Sequence, residues 1–281
     1  MRLAMSNIAW ASEERIAAYR IMAEAGMTGL EIAPGLFFHA AEDPFAPDPA
    51  SAHQALAEMA DAGLALVSMQ SLLFGVEGAA LFEGEEARHR FELGMIRAIE
   101  LAGRFGIPNL VFGSPRQRQV PEGVAMETAL GQANELFAAL GDRALAVGTR
   151  IAIEANPAAY GTNFLTTLGE AFAFVERVDH PAITAILDLG AMHMNGEFEE
   201  VPARVAAIGA RLSHVHVSEP QLAPAPAPGR ALGPAFKALE AVGYQGAVSI
   251  EMKRSERGLA DVREAARRLA QSAARAEPCH G

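Results

Sequence analysis

Eight short apolar runs alternate with eight longer segments whose apolar residues recur every three to four positions, and this alternation constrains the fold of the 281-residue chain more than any other feature. The apolar runs predict strands over Leu3–Ile8, Gly29–Ala33, Ala65–Gln70, Asn109–Phe112, Arg150–Ala155, Ile183–Asp188, Leu212–Val217 and Ala247–Met252. The segments between them predict amphipathic helices over Ser12–Ala25, Pro49–Ala62, Glu85–Phe105, Pro121–Val147, Thr167–Val178, Glu200–Gly209, Gly233–Val242 and Leu259–Ala274. Gly26, Gly63, Gly106 and Gly243 stand where a helix would stop before the next strand. Ser12 is placed to cap the first helix, with Glu13 and Glu14 in the turn where the helix dipole favours negative charge. At 281/8, or about 35 residues per unit, the pattern predicts a single α/β domain, a (β/α)8 barrel over residues 1–275, followed by a short C-terminal tail over 276–281. A doubly wound open sheet would carry a glycine-rich turn after the first strand, where this chain reads NIAWASEE. The low-complexity APAPAPG stretch at 223–229 reads as an extended spacer or as part of a rim or lid.

Charge and composition narrow the function. The formal net charge of −11 argues against nucleic acid as a partner, because phosphate backbones are held by basic footprints. A 51% hydrophobic chain has ample material for a core. Its single cysteine, Cys279, permits neither an intramolecular disulfide nor a thiolate zinc cluster. The opening MRLAMSNIAWASEE lacks a sustained apolar segment, and no run approaches the roughly 18 apolar residues of a membrane span. The expectation is a cytoplasmic protein with no membrane partner.

Four consecutive predicted strands end in residues able to bind a cation: Glu154 in RIAIEANP, Asp188 in ITAILDLG, His214 and His216 in LSHVHVSEP, and Glu251 in GAVSIEMK. The gaps from Glu154 through Asp188 and His216 to Glu251 are 34, 28 and 35 residues, about one strand–helix unit each. In a parallel barrel all four then lie at the C-terminal mouth, where active sites form. Three carboxylates gathered there would repel one another, and a divalent cation relieves the conflict. An oxygen-rich set with one imidazole suits Mn²⁺, Co²⁺ or Mg²⁺ better than a structural zinc, although Zn²⁺ stays among the candidates; Mn²⁺ is the expected ion. Alternation puts His214 and His216 on one side of their strand, His216 nearer the mouth and His214 one layer deeper.

The motifs GLEIAP, IAIEANP, ILDLG, HVHVSEP and GYQGAVSIEMK, in that order and spacing, make the chain resemble the sugar phosphate isomerase/epimerase family of the xylose isomerase-like barrel superfamily, including its ketose 3-epimerases. The resemblance spans nearly the whole chain. It implies one metal held by Glu154, Asp188, His216 and Glu251, with Glu154 and Glu251 also acting as acid and base on opposite faces of a small sugar, through a metal-bound enediolate. The family's epimerases often carry a His three residues after the metal-binding Asp, where this chain has Ala191, with His193 two residues later. They also carry an Arg six residues after the metal His, where this chain has Leu222.

Asn7, Gln70, Arg116, Arg118 and His193 are the expected substrate-binding residues. Arg116 and Arg118, in GSPRQR, are suited to an anionic group or to a solvated loop. Trp10 reads as a rim group, a platform for a sugar face or part of the core near the barrel end, Glu31 as a rim group or substrate contact, Lys253 as a rim cation in preference to a substrate contact, and Phe37 and Phe38 as a hydrophobic wall or a patch covered by a second subunit. The leading expectation is a divalent-metal-dependent isomerase or epimerase of a small sugar. The alternatives are a dehydratase of a cyclic polyol or keto-acid and a non-catalytic sugar-binding barrel, and a homodimer is the expected assembly. A DNA-repair endonuclease on the same barrel would need further histidine ligands at the second to fourth strand ends, which this chain lacks there.

Overall fold

A computed structural model describes residues 1–276; the side chain of Ala276 and residues 277–281, including Cys279 and nearly all of the expected tail, lie outside the described residues. The strands are β1 (Arg2–Ser6), β2 (Gly29–Ile32), β3 (Ala65–Met69), β4 (Leu110–Phe112), β5 (Ile151–Ile153), β6 (Ile183–Asp188), β7 (Leu212–Val217) and β8 (Ala247–Ile250), joined in chain order as a closed barrel. Each expected strand is present, trimmed by a residue or more at one or both ends except in β6 and β7. The helices are α1 (Arg15–Glu24), α2 (Pro34–Phe37), α3 (Pro49–Asp61), α4 (Glu85–Phe105), α5 (Met126–Ala146), α6 (Leu168–Val178), α7 (Leu189–Met194), α8 (Val201–Ile208), α9 (Gly233–Ala241) and α10 (Leu259–Ala276). The short α2 and α7 have no counterpart in the sequence reading. The chain is a (β/α)8 TIM barrel.

By its internal contacts the chain divides into two compact units, Met1–Val67 with everything from Leu187 on, and Ser68–Ile186. In the first, β1 pairs in parallel with β2 and β8, and β7 with β8, setting His216 opposite Ser249 and Val217 opposite Ile250. Ala4, Val67 and Ala247 cluster inside it. Small side chains are needed here: a Cβ at Gly29 would lie 2.8 Å from that of Ala4. In the second unit β4, β5 and β6 run parallel, with Leu110 opposite Ile151 and Ile151 opposite Ile183. A run of rings, Phe91–Phe112–Phe137–Phe174–Phe164, edge-on except for the tilted Phe112–Phe137 pair, packs α4, β4, α5 and α6 together.

The helix boundaries follow local chemistry. The Asp48 carboxylate accepts from the amides of Ala50 and Ser51 and starts α3, with Pro49 at its first position. Thr167 and Glu170 form a reciprocal capping box on α6. Gly106 ends α4 at φ 64°, its N–H donating to the Ala102 carbonyl. Ser12 is not the cap expected of it. A 3-10 turn over Ser12–Glu14 precedes α1, the Glu14 carboxylate accepts from the Ala11 amide, and the Ser12 hydroxyl donates to the Leu36 carbonyl. The helix expected from Pro121 begins at Met126, because Gly123 turns the chain at φ 84°.

Candidate active site

Asp188 is both the last residue of β6 and the N-cap of α7. Its Oδ1 accepts from the Ala191 amide at 2.6 Å and from the Ser218 hydroxyl at 2.8 Å, while Ser218 Oγ accepts from the Gly190 amide at 2.8 Å. Residue 190 must be glycine for this approach, since a Cβ there would lie 2.7 Å from Ser218 Oγ. With Oδ1 committed, Oδ2 faces His216 Nδ1 at 3.6 Å. Glu251, the first residue after β8, is held by its amide on the Val217 carbonyl and brings Oε2 to 3.2 Å from the same Nδ1.

The other edge of the His216 ring meets Glu31. His216 Nε2 lies 2.9 and 3.2 Å from the two Glu31 oxygens, and His214 Nε2 bonds the same carboxylate. All three side chains are buried. Burial drives the Glu31 carboxyl upward, but the charges and hydrogen bonds of His216 and His214 outweigh it and hold the group well below the usual carboxylate range. Glu31 is therefore no rim group, as the sequence suggested; it lies behind the histidines, and His214 lies deep as expected.

In the second unit Glu154 follows β5 directly, with its amide on the Phe112 carbonyl at 3.0 Å. Its Oε2 accepts from Asn156 Nδ2 at 2.9 Å. Asn156 Oδ1 is buried and has no partner among the described residues, so it is free to accept from a bound hydroxyl. Arg118, fully buried, donates from Nη2 to the Leu165 carbonyl at 3.5 Å and stacks its guanidinium 5.6 Å from the Phe112 ring centre. Its Nε and Nη1 have no hydrogen-bond partner among the described residues. Burial pushes its pKa down to about 10, against the opposing pull of the Glu154 charge.

Within the first unit Asp188, His216 and Glu251 each offer a ligand atom, and these atoms lie within 4.8 Å of one another. The expected substrate residues are disposed less uniformly. Asn7 spends its amide on Ala33, accepting from that residue's N–H at 2.7 Å and donating to its carbonyl at 3.4 Å, a clasp between the ends of β1 and β2. Gln70 is buried just after β3. Arg116 is exposed, unlike Arg118 two residues on. His193 is exposed on α7 and packs edge-on to Phe198 at 5.9 Å. With Arg230 these two line a cavity of about 510 Å³.

Trp10 packs edge-on against Tyr19 in the core, one of the places expected for it. Other readings are corrected: Phe37 and Phe38 are buried against each other within the chain rather than forming a patch for a second subunit. The APAPAPG stretch is no extended spacer: Ala225 and Pro226 are buried, Arg268 donates to the Pro226 carbonyl at 3.0 Å, and the Ala227 amide donates to Glu219 at 2.8 Å. Sequence reasoning passed over Asn156 and Ser218. The signal for Asn156 was its position two residues beyond Glu154, where strand alternation returns a side chain to the same face.

The profile of the xylose isomerase-like TIM barrel family matches residues 19–272. A ketose 3-epimerase of Arthrobacter globiformis is 27% identical over 216 residues, covering 74% of this chain and 70% of that protein. Among solved structures, the apo form of a 3-keto-D-glucoside 4-epimerase from E. coli superposes with a TM-score of 0.78 at 19% identity, over 97% of this chain and 99% of that one. A D-allulose 3-epimerase from Methylomonas sp., in complex with D-allulose, superposes with a TM-score of 0.72 at 22% identity, over 98% and 95%.

Proposed function

The chain belongs to the xylose isomerase-like TIM barrel family, and from that premise we propose that it is a divalent-cation-dependent isomerase or epimerase acting on a small ketose or ketose-like sugar. The observation that carries the reading is the gathering of Asp188, His216 and Glu251 in one compact unit, two carboxylates and one imidazole with ligand atoms within 4.8 Å of one another; Glu154, at the end of the preceding strand in the sequence, completes the proposed set. Like charges at that spacing are unfavourable without a counter-ion, and the donor set suits a hard or borderline divalent ion such as Mn²⁺. The names carried by its relatives, ketose 3-epimerase and 3-keto-D-glucoside 4-epimerase among them, support the same substrate class.

Glu154, Asp188, His216 and Glu251 would hold the ion. When bound, it supplies Lewis-acid polarisation of the substrate's carbonyl and neighbouring hydroxyl oxygens, which acidifies the adjacent C–H. The remaining chemistry belongs to the protein. One of Glu154 and Glu251 removes that proton, leaving an enediolate, and the other returns a proton to the opposite face, giving an epimer; delivery to the neighbouring carbon gives an aldose–ketose isomer. Asn156 steadies Glu154 by donating to its Oε2 and presents Oδ1 to a substrate hydroxyl. Asp188 has one oxygen committed to the α7 cap and Ser218, so its share is to hold rather than to move a proton.

The test is incubation of the enzyme with Mn²⁺ and a panel of ketoses in D₂O, followed by NMR of the sugar carbons. The expected result is deuterium at the carbon next to the carbonyl, abolished in Glu251→Gln with cation still bound. Wild-type turnover by the Glu154→Gln, Glu251→Gln double variant would overturn the mechanism. An unsaturated or deoxy product would reassign the chain as a dehydratase.

A further inference from the structure

Glu31 is a buried carboxylate beside His216 that the proposed reaction does not use. It is fully buried in β2, and an anion in that position is costly unless fully paired. Its pairing is specific: one carboxylate receives Nε2 of both His214 and His216, whose rings stand 5.1 Å apart at 84°. An ionised carboxylate has only acceptor sites, so both ring nitrogens facing it must carry hydrogen. An imidazole that binds a cation gives up one of its two hydrogens; with the other kept on Nε2 by Glu31, His216 then has its lone pair on Nδ1. That nitrogen is the one directed at Glu251 Oε2 and Asp188 Oδ2, at 3.2 and 3.6 Å.

We propose that Glu31 is a positioning residue for the cation: it fixes the tautomer and ring orientation of His216 so that Nδ1 is presented to the ion, while His214 holds Glu31 in place from the other side. The proposal rests on the reading of His216 as a ligand. Two features make Glu31 suited to the role. A carboxylate behind an imidazole raises its basicity as a ligand, and it takes the ring's remaining hydrogen in a fixed direction. The His214 bond restrains the Glu31 side chain from turning away, because both residues are buried on strands of the barrel.

Two measurements test this. Long-range ¹H–¹⁵N spectra of ¹⁵N-histidine protein loaded with diamagnetic Zn²⁺ are expected to show His216 with hydrogen on Nε2 and cation on Nδ1. The opposite tautomer would overturn the proposal, and this readout needs no variant. Titration with Mn²⁺, reading free ion by EPR, is expected to show Kd raised by roughly 10–100-fold in Glu31→Ala and by less in Glu31→Gln, whose amide oxygen still accepts from His216. Circular dichroism and thermal melting establish that each variant is folded; should Glu31→Ala fail to fold, Glu31→Gln and the wild-type spectrum decide. A folded Glu31→Ala with unchanged Kd sinks the inference. Asp188→Ala separates the two failures: loss of Mn²⁺ there with none in Glu31→Ala leaves the site standing without the role for Glu31, whereas wild-type affinity in Asp188→Ala removes the site itself.

Discussion

The Glu154 carboxylate fills the space that a side chain on Gly113 would need: a Cβ at residue 113 would lie 2.3 Å from Glu154 Oε2 and 3.3 Å from Asn156 Oδ1. Two neighbouring strand ends are thus coupled, the empty side chain of one making room for the carboxylate of the next, which is the proposed proton-transfer group. Gly113→Ala is expected to fold, because the atom in its way is the tip of a flexible side chain, with Tm close to wild type. Its activity should fall by about 100-fold or more in kcat/KM, as expected when a proton-transferring carboxylate is displaced by an ångström or so. Thermal melting beside steady-state kinetics on the best ketose checks both halves. Wild-type kinetics would show that the Glu154 position is immaterial.

Asn156 supplies a second test, in which orientation rather than space is altered. Asn156→Ala removes the Nδ2 donor on Glu154 and the unpartnered Oδ1 together. The expected loss is about 10–100-fold in kcat/KM, or roughly 1.4–2.8 kcal/mol of transition-state stabilisation. If Oδ1 binds a substrate hydroxyl, KM rises as well as kcat falling, and a full kinetic profile reads the split.

Cation removal should be visible without turnover. A ligand that binds the folded state alone contributes about 2.7 kcal/mol at a hundred times its Kd, which for a chain of this size moves Tm by on the order of 5 °C. Calorimetry with EDTA and with excess Mn²⁺ is expected to show that difference in the wild type and its absence in Asp188→Ala. Equal shifts in both proteins would place the binding elsewhere.

Away from the site, Arg15 and Glu58 form a two-pronged pair at 2.7 and 2.8 Å, with side chains 17% and 21% exposed. The hydrogen bonds from Arg15 outweigh partial desolvation and hold the Glu58 carboxyl below its usual pKa. A carboxylate depressed by folding stabilises the native state above its unfolded-state pKa, and that contribution fades as pH falls through the lower folded-state value. Glu58→Gln is expected to cost about 0.5–1 kcal/mol at pH 7. Urea unfolding at falling pH should show wild type and variant converging below pH ~4; a gap that persists under acid would mean the loss is one of packing.

How much of this was legible in the sequence depended on whether the relation was local. The strand ends carrying Glu154, Asp188, His216 and Glu251 could be read because each falls at a fixed place in a repeating unit, and β6 and β7 fall at their predicted bounds. Glu31 could not be placed, since its partners stand 183 and 185 residues away and nothing periodic links them. Gly113 was equally silent: the reason for a missing side chain lies in what another strand puts there. The short α7 escaped because its six residues hold less than two turns of apolar repeat. Arg116 and Arg118 looked alike in GSPRQR, yet a single 3-10 turn buries one and exposes the other.

The double duty of Asp188 bears on how such a barrel can change over time. One residue closes β6, caps α7 and faces His216, so the connection between strand and helix has no length to vary. An insertion between residues 188 and 191 would separate the carboxylate from the amide it caps and from Ser218 at once. Drift in specificity, or loop grafting by an engineer, is thereby steered past Met194, into the stretch carrying Phe198 and toward the Arg230 wall, where chain length can alter without unseating the carboxylate.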